Sequence, residues 1–339
     1  MNYFIGFKVF RNSTGLYLTQ SKYTIDLLKR TNMFNSKPSD SHTTTSLKLA
    51  LHDDEVFSYP TLYYSTIGAL QYLTYTRPDI SYIVNKLSQF LVSPKQTHWQ
   101  ACKRMLRYLR GSIHKGLWFK PALTLSLEAY SDADWASSLD DCRSTSGNCL
   151  FLCGNLISWS SRKQTIVARS SAEAKYHSMA NLTAEIMWLH SLFCELHIPL
   201  PSSTVFWCDN VSANALAYNP VFNSRIKHVD IDTHFIYDKV TSGIIEPRYV
   251  PTEFQVANVF TKGLSRDCFH FLCSKLNLVC SPQFILQGHV KILNSSVLVC
   301  ATKNRVVALA CQRSNTCGSL CNSIPAIPAS SYHLEHDPL

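Results

Sequence analysis

Apolar and polar positions alternate over residues 3–11 and again over 15–20, on either side of Asn12-Ser13-Thr14-Gly15, the pattern of a β-hairpin closed by a glycine-containing loop. The period then lengthens. In SKYTIDLLKRTN, Ser21 stands as an N-cap and Tyr23, Ile25, Leu27 and Leu28 fall near one face, which predicts a helix. A Ser/Thr-rich connector over 35–48 leads to three helical segments at 59–75, 79–92 and 97–110, the second introduced by Arg77-Pro78-Asp79. From about 124 the texture changes. LSLEAYSDADWA, SGNCLFLCGN and LISWSSRKQ read as three strands, followed by a long helix over roughly 170–197 and a strand ending in Asp209-Asn210. Short helices at 211–218 and 230–241, a strand at 245–250 and a helical region from about 255 to 276 complete the pattern. This order predicts an α/β core in which a mixed sheet, carrying acids at its strand ends, is packed by helices. Beyond 280 the regularity lapses, and little packed structure is expected there.

Composition narrows the class. Of 339 residues 46% are apolar and 16% charged, which excludes a wholly disordered or collagen-like chain. The net charge of +9 is modest, but its distribution is uneven. Residues 1–120 carry 16 basic and 6 acidic side chains (+10), residues 121–279 carry 12 and 15 (−3), and residues 280–339 carry 4 and 2 (+2). A basic first part thus precedes an acid-bearing second part. The 13 cysteines lack CxxC spacing, and the first residues lack the pattern of a secretory signal, so a cytoplasmic chain with reduced thiols is expected. No apolar run is long enough to predict a membrane span.

Two sets of residues suggest chemistry. Asp132 and Asp134 stand two apart on one strand and so share a face, and Asp209 ends a neighbouring strand. Carboxylates on adjacent strand ends can hold Mg²⁺ ions that orient a water and stabilise a leaving oxygen in phosphodiester hydrolysis, although surface acid pairs are usually inert. The second set is Lys103, Arg104, Arg107 and Arg110, which line one helix and form the leading phosphate-contacting candidate, with a merely solvated helix face as the plain alternative. His228 is a further candidate for contact with a nucleic-acid strand, against a role in packing or capping a helix. Trp135, Trp159, Trp188 and Trp207 are expected in the core rather than as base-stacking platforms.

YSDADWA (130–136), RSTSGNCLFLCGNLISWSSRKQTIVARSSAEAKY (143–176), WCDN (207–210), NPVFNSRIKHVDIDTHF (219–235) and VPTEFQVANVFTKGL (250–264) resemble the ribonuclease H domain of copia-type LTR retrotransposon Pol polyproteins. YFIGFKVF, LYLTQSKYTIDLLKRTNM, YYSTIGALQYLTYTRPDISYIVNKLSQF and HWQACKRMLRYLRG resemble the region that follows the polymerase site in the same polyproteins. The resemblance implies a ribonuclease H-like mixed sheet with flanking helices over 124–278. A mostly helical reverse transcriptase C-terminal remnant precedes it over 1–120, and an irregular tail of unknown origin follows over 280–339. It further implies Mg²⁺-dependent cleavage of RNA in RNA–DNA hybrids by four carboxylates.

Two of those four carry over by motif, Asp132 in YSDAD and Asp209 in CDN. The other two depart. The family's Glu-Ala-Glu-Tyr reads Glu173-Ala174-Lys175-Tyr176, and its Ala-Asp before Phe-Thr-Lys reads Ala257-Asn258. Glu173 is no substitute, because two residues along a helix is about 200° of rotation. No Tyr-x-Asp-Asp polymerase turn is present; Asp53-Asp54 and Asp140-Asp141 fall in a connector and a loop. The expectation is a catalytically impaired ribonuclease H-like protein. The alternatives are a nuclease still active through Asp132, Asp134 and Asp209, and a non-catalytic nucleic-acid-binding remnant. RNA–DNA hybrid is the expected partner, with a polymerase region in another chain as a second.

Overall fold

A computed structural model describes residues 3–310, apart from 5, 13, 46, 52–54, 201, 220–229, 281–296 and 303–304. The first part opens with β1 (Tyr3–Phe4), β2 (Phe7–Asn12) and β3 (Gly15–Thr19), then α1 (Ser21–Arg30), α2 (Pro60–Leu73), α3 (Ser81–Ser88), α4 (Gln96–Gly111) and β4 (Lys115–Phe119). Its helices follow the apolar period, each burying one stripe: Leu27 and Leu28 of α1, Ile67, Leu70 and Leu73 of α2, and Met105, Leu106 and Leu109 of α4 are almost wholly buried. Pro60 starts α2 at a position where its missing N–H costs nothing.

The second part contains β5 (Leu127–Asp134), β6 (Thr145–Leu152), β7 (Asn155–Lys163), α5 (Ser171–Glu195), β8 (Thr204–Cys208), α6 (Val211–Tyr218), α7 (Asp230–Thr241) and β9 (Ile245–Tyr249). A short 3₁₀ segment (Val256–Phe260), α8 (Arg266–Ser274) and β10 (Leu278–Cys280) follow. The strand order is β7-β6-β5-β8-β9, antiparallel across β7, β6 and β5 and parallel across β5, β8 and β9. This is the mixed sheet of a ribonuclease H-like fold. Period-two patterning assigns its two faces. Leu127 and Ala129 of β5 pack with Ile186 and Leu189 of α5, whereas Cys149 and Phe151 of β6 and Leu156 of β7 join the apolar cluster of the first part.

β4 and β10 went unanticipated. They complete an antiparallel sheet, β1-β2-β3-β4-β10, in which Leu278 pairs with Leu117. The two parts are therefore joined by a shared sheet edge and by one cluster running from Phe7 to Leu276. In the tail, β11 (Val297–Thr302) and β12 (Arg305–Ala310) pair antiparallel.

Candidate active site

Parallel pairing of β5 with β8 runs through Ser131 opposite Cys208, so Asp132 and Asp209 stand side by side one step further on, at the carboxyl end where the two strands diverge. Gln255, fully buried, bridges the divergence by donating from Nε2 to the carbonyls of Ser131 (3.0 Å) and Trp207 (3.4 Å). Asn210 then caps α6, its Oδ1 accepting from Ala213 N at 2.8 Å, which stops β8 and sets the position of Asp209.

α5 supplies the third member. Ser170 caps it, accepting from Glu173 N at 3.2 Å, and Ser178 donates to the Asp132 carbonyl at 2.9 Å, docking the helix on β5. Lys175 lies three residues before Ser178 and so on the same helix face. Its Nζ donates to Asp209 Oδ1 at 2.5 Å and pairs with Asp132 Oδ1 at 3.2 Å. The two carboxylates have 0% and 1% of their side-chain surface exposed and the lysine 15%. Glu173 is turned away, as its helical phase requires, with Oε2 accepting from Arg169 N at 2.8 Å.

The residues on either side of the 3₁₀ turn close the site from the other sheet face. Thr261 Oγ1 donates to Asp132 Oδ2 at 2.7 Å, Lys262 Nζ lies 3.4 Å from the same oxygen, and Thr252 Oγ1 donates to Asp209 Oδ2 at 3.1 Å. Gly147, paired with Asp132 across β5–β6, permits this approach. A Cβ there would lie 2.6 Å from Thr261 Cγ2, 2.7 Å from Phe260 Cβ and 3.0 Å from the Ala257 carbonyl oxygen. Asn258 sits in the turn, where its Nδ2 donates to the Thr252 carbonyl at 2.8 Å; it reaches the site through Thr252, and its buried Oδ1 has no hydrogen-bond partner.

Burial pushes the Asp132 carboxyl up, but Lys262, Lys175 and the Thr261 hydroxyl outweigh it and hold the group below its ordinary value. Burial likewise pushes Lys175 down, and the two aspartates more than reverse it, leaving the ammonium raised. Asp134 lies outside this ion network, and burial raises it. The donor set does not fit a divalent ion: two carboxylates remain, and an ammonium already lies against an oxygen of each. Among the described residues no group of three or more His, Cys, Asp or Glu side chains is arranged to hold a metal.

The other candidates separate. Arg104 donates to Ser41 Oγ at 3.1 Å, Arg107 to the Lys37 carbonyl at 2.9 Å and Arg110 to the Phe34 carbonyl at 2.5 Å. Three of the four α4 basic residues thus clamp the connector, each through one edge of its guanidinium, while Lys103 is half-buried beside them. His228 lies outside the described residues, as do Asp53 and Asp54. Asp140 accepts from Leu51 N at 2.9 Å, and Asp141 pairs with Lys163 at 2.8 Å, so both serve surface-loop contacts. Trp135 departs from its expected core position: it is 48% exposed, and its indole N–H donates to the Ala168 carbonyl at 2.9 Å. Thr252, Thr261, Lys262, Gly147 and Gln255 were not anticipated. All five lie within the resembling segments 143–176 and 250–264, which mark the stretch and give no role to these residues.

No helix among the described residues is long and apolar enough to cross a membrane. No family model matches the chain. It is 48% identical over 282 residues, 83% of its length, to the retrovirus-related Pol polyprotein from transposon RE2 of Arabidopsis thaliana, of which it spans 19%. It is 34% identical over 281 residues, 80% of its length, to the Pol polyprotein from transposon TNT 1-94 of Nicotiana tabacum, of which it spans 21%. An RNase H domain from Mycobacterium tuberculosis aligns at 8% identity and TM-score 0.32 over 44% of this chain and 98% of that one, and the fold assignment rests on strand order rather than on that likeness. Similar to these polyproteins over more than four-fifths of its own length and spanning about a fifth of theirs, the chain belongs to the family of retrotransposon Pol polyproteins and carries its ribonuclease H-like domain.

Proposed function

We propose that this chain is a ribonuclease H-like module that binds RNA–DNA hybrid and does not cleave it, its ancestral activity having been Mg²⁺-dependent hydrolysis of the RNA strand. The reading is carried by one observation: the Lys175 ammonium contacts an oxygen of both Asp132 and Asp209. A hydrolytic site of this type needs several negative oxygens around its metal ions, and the residues at 175 and 258 bring a positive charge and a neutral amide instead. Losing one such stabilising interaction commonly costs about 10²–10³ in rate. Binding is supported by the +10 charge of residues 1–120 and by the half-buried basic row Lys103, Arg104, Arg107 and Arg110 of α4.

The test is cleavage of a labelled hybrid in Mg²⁺ by the natural chain, Lys175→Glu, Asn258→Asp and the double variant. No cleavage by the natural chain and recovery in the double variant are expected, with Lys175→Glu alone recovering more than Asn258→Asp alone because it also removes a positive charge. Cleavage by the natural chain that is lost in Asp132→Asn overturns the proposal in favour of an active nuclease using Asp132, Asp134 and Asp209. Binding is read separately, by hybrid retention across a salt series. Weakening with salt, and in a variant with the four α4 residues changed to Gln, is the expected result.

A further inference from the structure

Asp132 and Asp209 are two buried carboxylates at adjacent strand ends, and in that position they repel one another with little water to screen them. Such a pair needs a compensating charge to remain ionised and close. In this chain the charge is covalently attached. Lys175 Nζ touches Oδ1 of each aspartate, Lys262 Nζ approaches Oδ2 of Asp132, and the hydroxyls of Thr261 and Thr252 take one Oδ2 each. All four carboxylate oxygens are thereby engaged, and two positive charges face two negative ones.

We infer that Lys175 is a resident cation that ties β5, β8 and α5 together, so that the fold of this module is independent of divalent metal ions. The inference deepens the proposed function and rests on its reading of these aspartates as a former metal pair. Tethering favours the ammonium. A side chain rooted on a docked helix presents its charge at a high effective concentration, and a free ion must compete with it for the same oxygens. Geometry favours it too. Mg²⁺ demands near-octahedral oxygen coordination and gives up its water reluctantly, whereas an ammonium accepts looser geometry, here one hydrogen bond to Asp209 Oδ1 and an ion pair with Asp132 Oδ1. The lysine is placed by the same contact that docks its helix, Ser178 to the Asp132 carbonyl, so the charge arrives with the element it secures.

Thermal unfolding of the full chain in EDTA, and in millimolar Mg²⁺ or Mn²⁺, tests the inference on the natural protein and on Lys175→Arg, Lys175→Gln and Lys175→Glu. The natural chain should show one midpoint in all three conditions, and Lys175→Arg, which keeps the charge, should be equally indifferent to metal. Lys175→Gln should lose on the order of 10 °C in EDTA, with partial recovery in Mn²⁺. Lys175→Glu should lose more and recover more. A natural chain stabilised by Mn²⁺ as strongly as Lys175→Glu overturns the inference, as does Lys175→Gln unfolding at the natural midpoint in EDTA. If the Gln and Glu variants do not fold, the other arms decide: a metal-responsive Lys175→Arg, or a Mn²⁺ site in the natural chain that disappears in Asp132→Asn, overturns it. Hybrid binding measured in EDTA separates the two readings. A metal-indifferent chain that fails to bind hybrid sinks the proposed function and leaves the resident cation standing.

Discussion

Two ion networks among the described residues, one in each part of the chain, are built on opposite plans. In the first, Arg77 Nε and Nη2 grip Asp79 Oδ1 and Oδ2 at 2.9 and 2.7 Å, two residues apart across Pro78. Arg77 also donates to the carbonyl and hydroxyl of Ser112, and Tyr108 donates to Asp79 at 2.5 Å. In the second, Lys175, Asp132, Asp209 and Lys262 come from four separate segments and converge only in the folded chain. Lys262 keeps 31% of its side chain exposed, whereas Arg77 keeps 2%. The bidentate pair is a sealed joint that staples the start of α3 to the end of α4. The lysine–aspartate group lies at a strand-end crevice, where fold families of this kind place chemistry. Burial and pairing are common to both networks; what differs is the number of separate segments that converge, the Arg77–Asp79 turn and the end of α4 in the first and four segments in the second.

The largest effect should come from unbalancing the sealed joint. Asp79→Asn leaves a buried guanidinium without its counter-charge and should cost about 3–5 kcal/mol, read by urea unfolding, whereas Arg77→Met with Asp79→Leu should cost much less. In acid the same joint should persist well below the usual carboxylate range. Burial pushes the Asp79 carboxyl up, but Arg77 overcomes this and depresses it from 3.8 to about 2, so its contribution is complete above 3.8 and disappears only as the pH falls through about 2.

A smaller effect should follow from prising the second network open without touching a charge. Gly147→Val places methyl groups where Thr261, Phe260 and the Ala257 carbonyl now lie, and should cost about 1–3 kcal/mol. With Thr261 and Lys262 displaced, the Asp132 carboxyl should titrate higher than in the natural chain, as followed by carboxyl ¹³C shifts.

The smallest effect belongs to His177, one turn from Glu173 on α5, whose Nδ1 lies 2.6 Å from Asp232 Oδ2 on α7, with Nε2 3.6 Å from Glu173 Oε1. The Asp232 hydrogen bond raises the imidazole above its ordinary value despite burial. Its stabilising contribution is therefore complete below about 6.5 and fades as the pH climbs through the raised value. His177→Gln should flatten that slope in unfolding midpoints measured across neutral pH. A slope unchanged by the substitution would show that another group titrates.

The sequence carried the second network's acids and its anomaly, but not its closure. Asp132 and Asp209 were legible because strand ends and motif agreed, and Lys175 because it broke a motif. Thr252 and Gln255 were not, since their roles arise from a turn folding over two diverging strands, which no periodicity encodes. Gly147 looked like any strand glycine until the turn was placed above it. The α4 arginines show the converse: a helical period identified their shared face, yet only the tertiary structure shows that the 34–41 connector already occupies part of it. β4 and β10 were too short to register as strands beside the longer helical signals.

The pairing of Leu278 with Leu117 has a consequence for biosynthesis. The outer neighbour of β4 leaves the ribosome 161 residues after it, a delay of roughly 8–30 s at ordinary translation rates. Throughout that interval the Lys115–Phe119 edge has unpaired backbone groups and can be completed by any passing strand, including the same segment of a neighbouring nascent chain. Yield on expression should therefore depend on how quickly synthesis reaches residue 280, and slowing translation should divert chains into aggregates before the sheet can close.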